Sequence, residues 1–244
     1  MKNTNSDIGP VEAASIQGEK KRTYVVSLFD SMAGRYDTLS FLISLGQTTL
    51  WRRRALSMLS PSDEARLLDV GTGTGWVIKY LRKKHPGIST EGMDPSEEML
   101  NTARSVDPEG NYFFGDAVAI PRDNDFYDAV TTVFTTRNFH DLDKALSEMV
   151  RVLKPGGRLM ILDTFFPKGP AAWRFINRLW LLYVVPLIAS PLVGREALVY
   201  LGESIRRHIP AGEIGKKLEA LGCVKVEVKY FSLGTAAVIL AVKI

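Results

Sequence analysis

The chain has one cysteine, Cys223, in 244 residues. A single thiol forms no internal disulfide and cannot build a thiolate metal cluster, which excludes a disulfide-stapled scaffold and makes a reducing compartment the expectation. Histidine is scarce too. His85, His140 and His208 are too scattered for a metal-ligand pattern, so no metal is expected. Long apolar runs are missing. The most apolar stretch, LWLLYVVPLIASPLV at 179–193, has 15 residues including Pro186 and Pro191, whereas a membrane span needs about 20. The opening MKNTNSDIGPVEAASIQGEKKR lacks the apolar core of a signal peptide. Neither charge sign dominates: 31 Lys and Arg against 27 Asp and Glu give +4, which permits contact with an anionic surface without establishing one. A cytoplasmic protein is the expectation. No repeat or low-complexity block is visible.

What is present is an ordinary globular mix, 45% hydrophobic and 24% charged. Residues 1–22 read as a flexible polar tail, and 23–244 as one domain. Val25, Leu28, Phe29 and Met32 recur at helical spacing, and WRRRALSML continues the pattern, so 23–60 is expected to be helical until Pro61. From Arg66 the texture alternates. Strands are expected at 66–70, 87–94, 111–116, 126–134 and 158–165, with helices at 75–84, 95–106 and 141–153 between them and KPGG (154–157) as a turn. The segment 170–200 reads as an apolar helical insertion that Pro186 and Pro191 should break. A helix at 210–221 and two closely spaced strands, 223–230 and 235–242, follow. This order predicts an α/β fold: a doubly wound, mostly parallel seven-stranded sheet ending in an antiparallel edge hairpin.

DVGTGTG (69–75) directly follows a strand and opens a helix. Such a loop lets backbone approach a ligand closely. The dinucleotide fingerprint wants a third glycine where this chain has Trp76, which obstructs a pyrophosphate. A nucleoside carrying an amino acid fits better. Asp69 can receive an ammonium, Asp94 both ribose hydroxyls, and Asp116 an adenine amino group. Three acids at successive strand ends, with no phosphate-binding Lys or Ser, describe S-adenosylmethionine.

Four blocks carry a family resemblance: VSLFDSMAGRYDTLSFLISLGQTTLWRR (26–53), LLDVGTGTG, TRNFHDLDKALSEMVRVLKPGG (136–157) and YLGESIRRHIP (200–210). They resemble the ubiquinone/menaquinone biosynthesis C-methyltransferase family, from about residue 24 to the end. The chain departs from the family pattern at Ser40, across Phe134, Thr135 and Thr136, and at Val118 and Arg122.

The resemblance implies a class I methyltransferase fold. It implies methyl transfer from S-adenosylmethionine, which leaves as S-adenosylhomocysteine, to a carbon of a polyprenylated hydroquinone. It also adds Thr74, Ala117 and Val133 to the cofactor residues Asp69, Gly71, Gly73, Asp94 and Asp116. Arg137, Asn138 and Tyr36 are the catalytic candidates. A guanidinium at Arg137, acting directly or through a bound water, would lower a ring hydroxyl's pKa from about 10; Asn138 would orient that hydroxyl or the loop, and Tyr36 would cover the cofactor or else pack as a core tyrosine. His140 is a weaker candidate base, better explained as a helix cap or surface residue. Trp51 with Arg52, Arg53 and Arg54 reads as a solvated helix face or a membrane-facing basic patch. The 170–200 insertion is expected to build a greasy acceptor pocket with a peripheral contact on the inner face of the membrane, or else a homodimer interface. Nucleic acid is not an expected partner, because the target-base N-P-P-Y or D-P-P-Y motif and a basic stripe are absent. Two alternatives stand: a methyltransferase of another lipophilic phenol or secondary metabolite, or a non-catalytic S-adenosylmethionine-binding protein.

Overall fold

A computed structural model of the chain describes residues 8–62, 64–167 and 169–244. At its centre are β1 Arg66–Val70, β2 Ser89–Asp94, β3 Asn111–Phe114, β4 Tyr127–Val133, β5 Leu153–Thr164, β6 Cys223–Phe231 and β7 Ala236–Lys243. They form one sheet in the order β3-β2-β1-β4-β5-β7-β6. β1 to β5 are parallel, and β7 lies antiparallel between β5 and β6. The order reverses between β1 and β4, which opens a crevice at their carboxyl ends. Residues 154–157 are not a free turn. They bulge inside β5, where pairing jumps from Tyr127↔Leu153 to Ala129↔Arg158, because Gly156 supplies the left-handed φ of 77° the bulge needs.

The helices are α1 Pro10–Ala13, α2 Glu19–Met32, α3 Tyr36–Ser44, α4 Gln47–Leu59, α5 Trp76–Lys84, α6 Glu97–Val106, α7 Leu142–Val152, α8 Ala171–Leu179, α9 Val185–Arg207 and α10 Ala211–Ala220. Strand side chains alternate between two cores. Leu68, Val70, Val130, Leu159 and Ile161 pack with α7 and α10. Leu67, Ala129, Met160 and Leu162 pack with α4, α5 and α6. Pro95 precedes α6 rather than opening it. Ser96 is the cap, its Oγ accepting from Met99 N at 3.1 Å.

A third core has no place in the sheet. Tyr24, Val25, Leu28 and Met32 of α2 and Leu39 of α3 pack on Val185, Ala189, Leu198 and Tyr200 of α9. This cap absorbs part of the expected tail. Ile8 and Ala13 are buried in it, and Gly18 N donates to His140 O at 2.9 Å. The boundary at residue 22 therefore falls inside α2, and the stretch before it is anchored through Ile8, Ala13 and Ile16, which join the cluster built on α9. Residues 1–7 lie outside the described residues. The insertion is helical, but its prolines do not end it. A π-helical turn at Trp180–Val184 precedes α9 and places Pro186 in the first turn, where a missing N–H costs little. Pro191 lies within α9, and the interruption comes at Gly194, with φ 78° and ψ 163°.

Candidate active site

The four strand ends and the cap enclose a cavity lined by Asp69, Gly71, Gly73, Thr74, Asp94, Asp116, Ala117 and Val133. All the expected cofactor residues therefore converge. Gly71 is required twice over: its φ is +71°, and a Cβ there would lie 2.4 Å from Thr135 Cγ2. Gly73 N donates to Asp94 Oδ2 at 2.8 Å, and Ser96 N donates to Oδ1 at 2.9 Å. Each Asp94 oxygen keeps a lone pair for a further donor. Asp69 accepts from Thr131 Oγ1 at 2.7 Å. Burial pushes both carboxyls up to about 6, against the pull of these hydrogen bonds.

The cap is tied to all four strand ends. Arg22 Nε pairs with Asp116 Oδ2 at 2.6 Å beyond β3, and Ser96 Oγ donates to Asp30 Oδ1 at 2.5 Å beyond β2. Thr74 Oγ1 donates to Asp37 Oδ2 at 2.7 Å beyond β1. Lys21 Nζ donates to Arg137 O at 3.1 Å beyond β4, and burial pushes that amine down to about 8. His140 belongs to the rim at Asp116, with Nδ1 3.9 Å from that carboxylate and no place in the second cavity. It is therefore set aside as a base toward an acceptor there.

That second cavity, about 380 Å³, lies beneath α3, α8 and α9. Its lining is mostly apolar, including Leu28, Met32, Leu39, Ile43, Trp173, Trp180 and Leu198. Phe29, Tyr36, Phe134 and Asn138 line both cavities and mark their junction. Phe134 holds a left-handed φ of 62° at the end of β4, costly for a bulky residue and typical of a functional junction. Leu45 and Ile176 line the larger cavity yet are 67% and 55% exposed, so they lie at its mouth. Of the departures from the family pattern, Ser40 also lines this cavity, whereas Arg122 turns away to pair with Glu91 at 3.1 Å.

Arg137 lines the larger cavity, and its guanidinium is paired. Its Nη1 donates to the fully buried Asp163 and to Phe134 O. A cation this deep needs a counter-charge, and β5 supplies it. Its Nε is buried without a partner. Asp163 also accepts from Thr136 Oγ1 at 2.6 Å. Behind it, His208 sets Nδ1 3.2 Å from Thr164 O and Nε2 3.2 Å from Thr136 Oγ1, stacked on Phe165. Tyr200 donates its hydroxyl to Asn138 Oδ1 at 3.1 Å, which leaves the Asn138 amide NH₂ as the group free to donate. Sequence reading did not single out Asp163, His208 or Tyr200, although two of them lie in YLGESIRRHIP. Nor is WRRR one surface: Trp51 and Arg52 are buried, and only Arg53 and Arg54 are exposed.

The model of the ubiE/COQ5 methyltransferase family matches residues 17–243. A demethylmenaquinone methyltransferase of Thermus thermophilus is 36% identical over 216 residues, covering 86% of this chain and 97% of the relative. A ubiquinone/menaquinone biosynthesis C-methyltransferase of Desulfotalea psychrophila is 32% identical, covering 90% of each. Among solved structures, a Thermotoga maritima S-adenosylmethionine-dependent methyltransferase superposes with a TM-score of 0.65 at 20% identity, over 90% of this chain and all of the other. That likeness shows the shared class I fold.

Proposed function

The chain belongs to the ubiE/COQ5 methyltransferase family, and on that footing we propose that it transfers a methyl group from S-adenosylmethionine to a ring carbon of a polyprenylated hydroquinone, in menaquinone or ubiquinone biosynthesis. One observation carries the reading. A cavity that carries the strand-end acids Asp69, Asp94 and Asp116 meets a larger, mostly apolar cavity at Tyr36, Phe134 and Asn138.

The cofactor fits the residues present: Asp69 and Asp94 keep acceptor capacity, and Gly73 lines the cavity with nothing within 4 Å of where a Cβ would stand, so a side chain there would fill the space. When bound, it supplies a methyl group on an already activated sulfonium leaving group. The protein's task is then orientation, worth about 7–11 kcal/mol, and activation of the ring. The Arg137 guanidinium and the Asn138 amide, which both line this cavity, are the donors proposed to stabilise a ring hydroxyl as it approaches phenolate. Phenolate character raises electron density on the ring carbon, which takes the methyl group as the sulfonium's bond to it breaks; the ring oxygen becomes a carbonyl, and aromaticity returns when the carbon's proton is released to water and the oxygen is reprotonated. Asp163 keeps the Arg137 site electrically balanced, so the guanidinium acts through directed hydrogen bonds more than through net charge.

Among the described residues, no helix is long and apolar enough to cross a membrane. The acceptor's tail is instead drawn through the mouth at Leu45 and Ile176 while the protein rests on the cytoplasmic membrane face. Phe175, Tyr183 and Leu187 are 61%, 68% and 78% exposed on the same helical segment and support that contact. Trp180 does not belong to the exposed set: its Nε1 donates to Ile43 O at 3.0 Å and closes the cavity wall.

The test is turnover with S-adenosylmethionine and a panel of demethylated naphthoquinols and benzoquinols of short and long prenyl chain, read by mass spectrometry. Methylation of a quinol ring carbon is expected. Methylation only of unprenylated phenols would favour another lipophilic acceptor. In parallel, Tyr183→Ser with Leu187→Ser should lower liposome binding and raise KM for long-chain quinols while sparing short ones.

A further inference from the structure

The DVGTGTG cavity holds two guanidinium groups. Arg22 is committed at the adenine end, paired with Asp116 and with Glu19. Arg52 is not committed. It lines the same cavity as Asp69 and Trp76, yet it is only 7% exposed. Its guanidinium carbon lies 5.1 Å from the centre of the Trp76 ring and 5.4 Å from that of Phe134. These rings hold it in place without using its N–H donors. Its ion-pair contact is a long 3.9 Å to Asp37 Oδ1, a carboxylate half exposed and already accepting from Thr74. Its Nε is buried with no hydrogen-bond partner among the described residues. A buried guanidinium with an orphaned donor is unfavourable unless a ligand completes it, because burial removes water without supplying a partner.

The ligand proposed for this cavity has a matching need. Its amino-acid end carries an ammonium and a carboxylate on one carbon. Asp69 is placed for the ammonium, so the carboxylate must come to rest beside Asp69 and away from Arg22. There an unpaired carboxylate would be as costly as the unpaired guanidinium. A planar guanidinium fork and a carboxylate answer each other in charge and shape. Resting on the cofactor reading above, we propose that Arg52 is the carboxylate-binding residue of this site and selects amino-acid-bearing nucleosides over those lacking the carboxyl group.

Decarboxylated S-adenosylmethionine, which keeps the sulfonium, nucleoside and ammonium, isolates the claim. Calorimetry on the wild-type protein should give roughly ten- to a hundredfold weaker binding for it than for S-adenosylmethionine, the usual loss of one charge-assisted partner. Arg52→Gln should abolish the difference by weakening S-adenosylmethionine alone, and Arg52→Lys should keep part of it. Equal wild-type affinity for the two compounds overturns the assignment, even if Arg52→Gln fails to fold. So does an equal loss for both compounds in a folded Arg52→Gln, since that would make Arg52 a packing residue. If the wild type binds neither compound, the cofactor reading itself falls and takes this assignment with it.

Discussion

Arg137 and Asp163 form an ion pair in which the carboxylate has no solvent exposure and the arginine side chain 7%. The pair joins the end of β4 to β5, and its arginine lines the larger cavity. The pair gives the arginine a structural role, and experiment separates it from the chemical role proposed above.

Arg137→Ala leaves Asp163 buried without its counter-charge. The variant should lose about 3–5 kcal/mol of stability in denaturant unfolding. Replacing both partners, Arg137→Met with Asp163→Leu, should recover most of that stability and none of the turnover. A single Ala variant with full stability and near wild-type kcat would remove the pair from both roles.

Tyr200→Phe keeps the ring packing against Tyr24 but deletes the hydroxyl that orients Asn138. The expected outcome is a several-fold fall in kcat with little change in the Kd for S-adenosylmethionine. The lost hydrogen bond is worth about 0.5–1.5 kcal/mol. An unchanged kcat would mean that the Asn138 amide needs no such orientation.

Asp94→Ala should weaken S-adenosylmethionine binding about ten- to a hundredfold, the loss of about 1.5–3 kcal/mol from a charge-assisted hydrogen bond. Because this carboxylate also holds the amides of Gly73 and Ser96, Asp94→Asn is the milder companion and keeps one acceptor oxygen. Calorimetry reads both. An unaltered Kd for the alanine variant would remove Asp94 from the ribose role.

Burial lifts Asp69 to about 6, above its ordinary carboxylate value. The folded chain therefore holds this proton more tightly than the unfolded chain does. The stability contributed is full below the ordinary carboxylate range and is lost as pH rises through about 6. At pH 7 the free protein carries a charge that its fold disfavours. Asp69→Asn should therefore raise the melting temperature of the free protein at neutral pH while weakening cofactor binding. In the wild type, affinity should fall as pH drops below about 6, because the ammonium needs an ionised partner. A pH-independent Kd between pH 5 and 7.5 would remove Asp69 from that role.

The alternation of strand and helix from Arg66 onward was determined by sequence alone, as were the acids at three strand ends and the Gly71–Gly73 loop. These are local signals: apolar periodicity, breakers, and residues within one turn of a strand terminus. Family membership was legible from four short blocks for the same reason. What the tertiary structure decided is which charges are spent and which are free. WRRR reads as one basic run, yet the helical turn buries Arg52 against Trp76 and sends Arg53 and Arg54 to solvent. Arg22 meets Asp116 across 94 residues of chain, Arg137 meets Asp163 across 26, and Tyr200 meets Asn138 across 62. A polar amino terminus became a cap because Ile8, Ala13 and Tyr24 found α9, more than 150 residues away, to bury against. Hydrogen bonds and desolvation depend on separation in space, and sequence spacing carries that information only within a helix turn or along a strand.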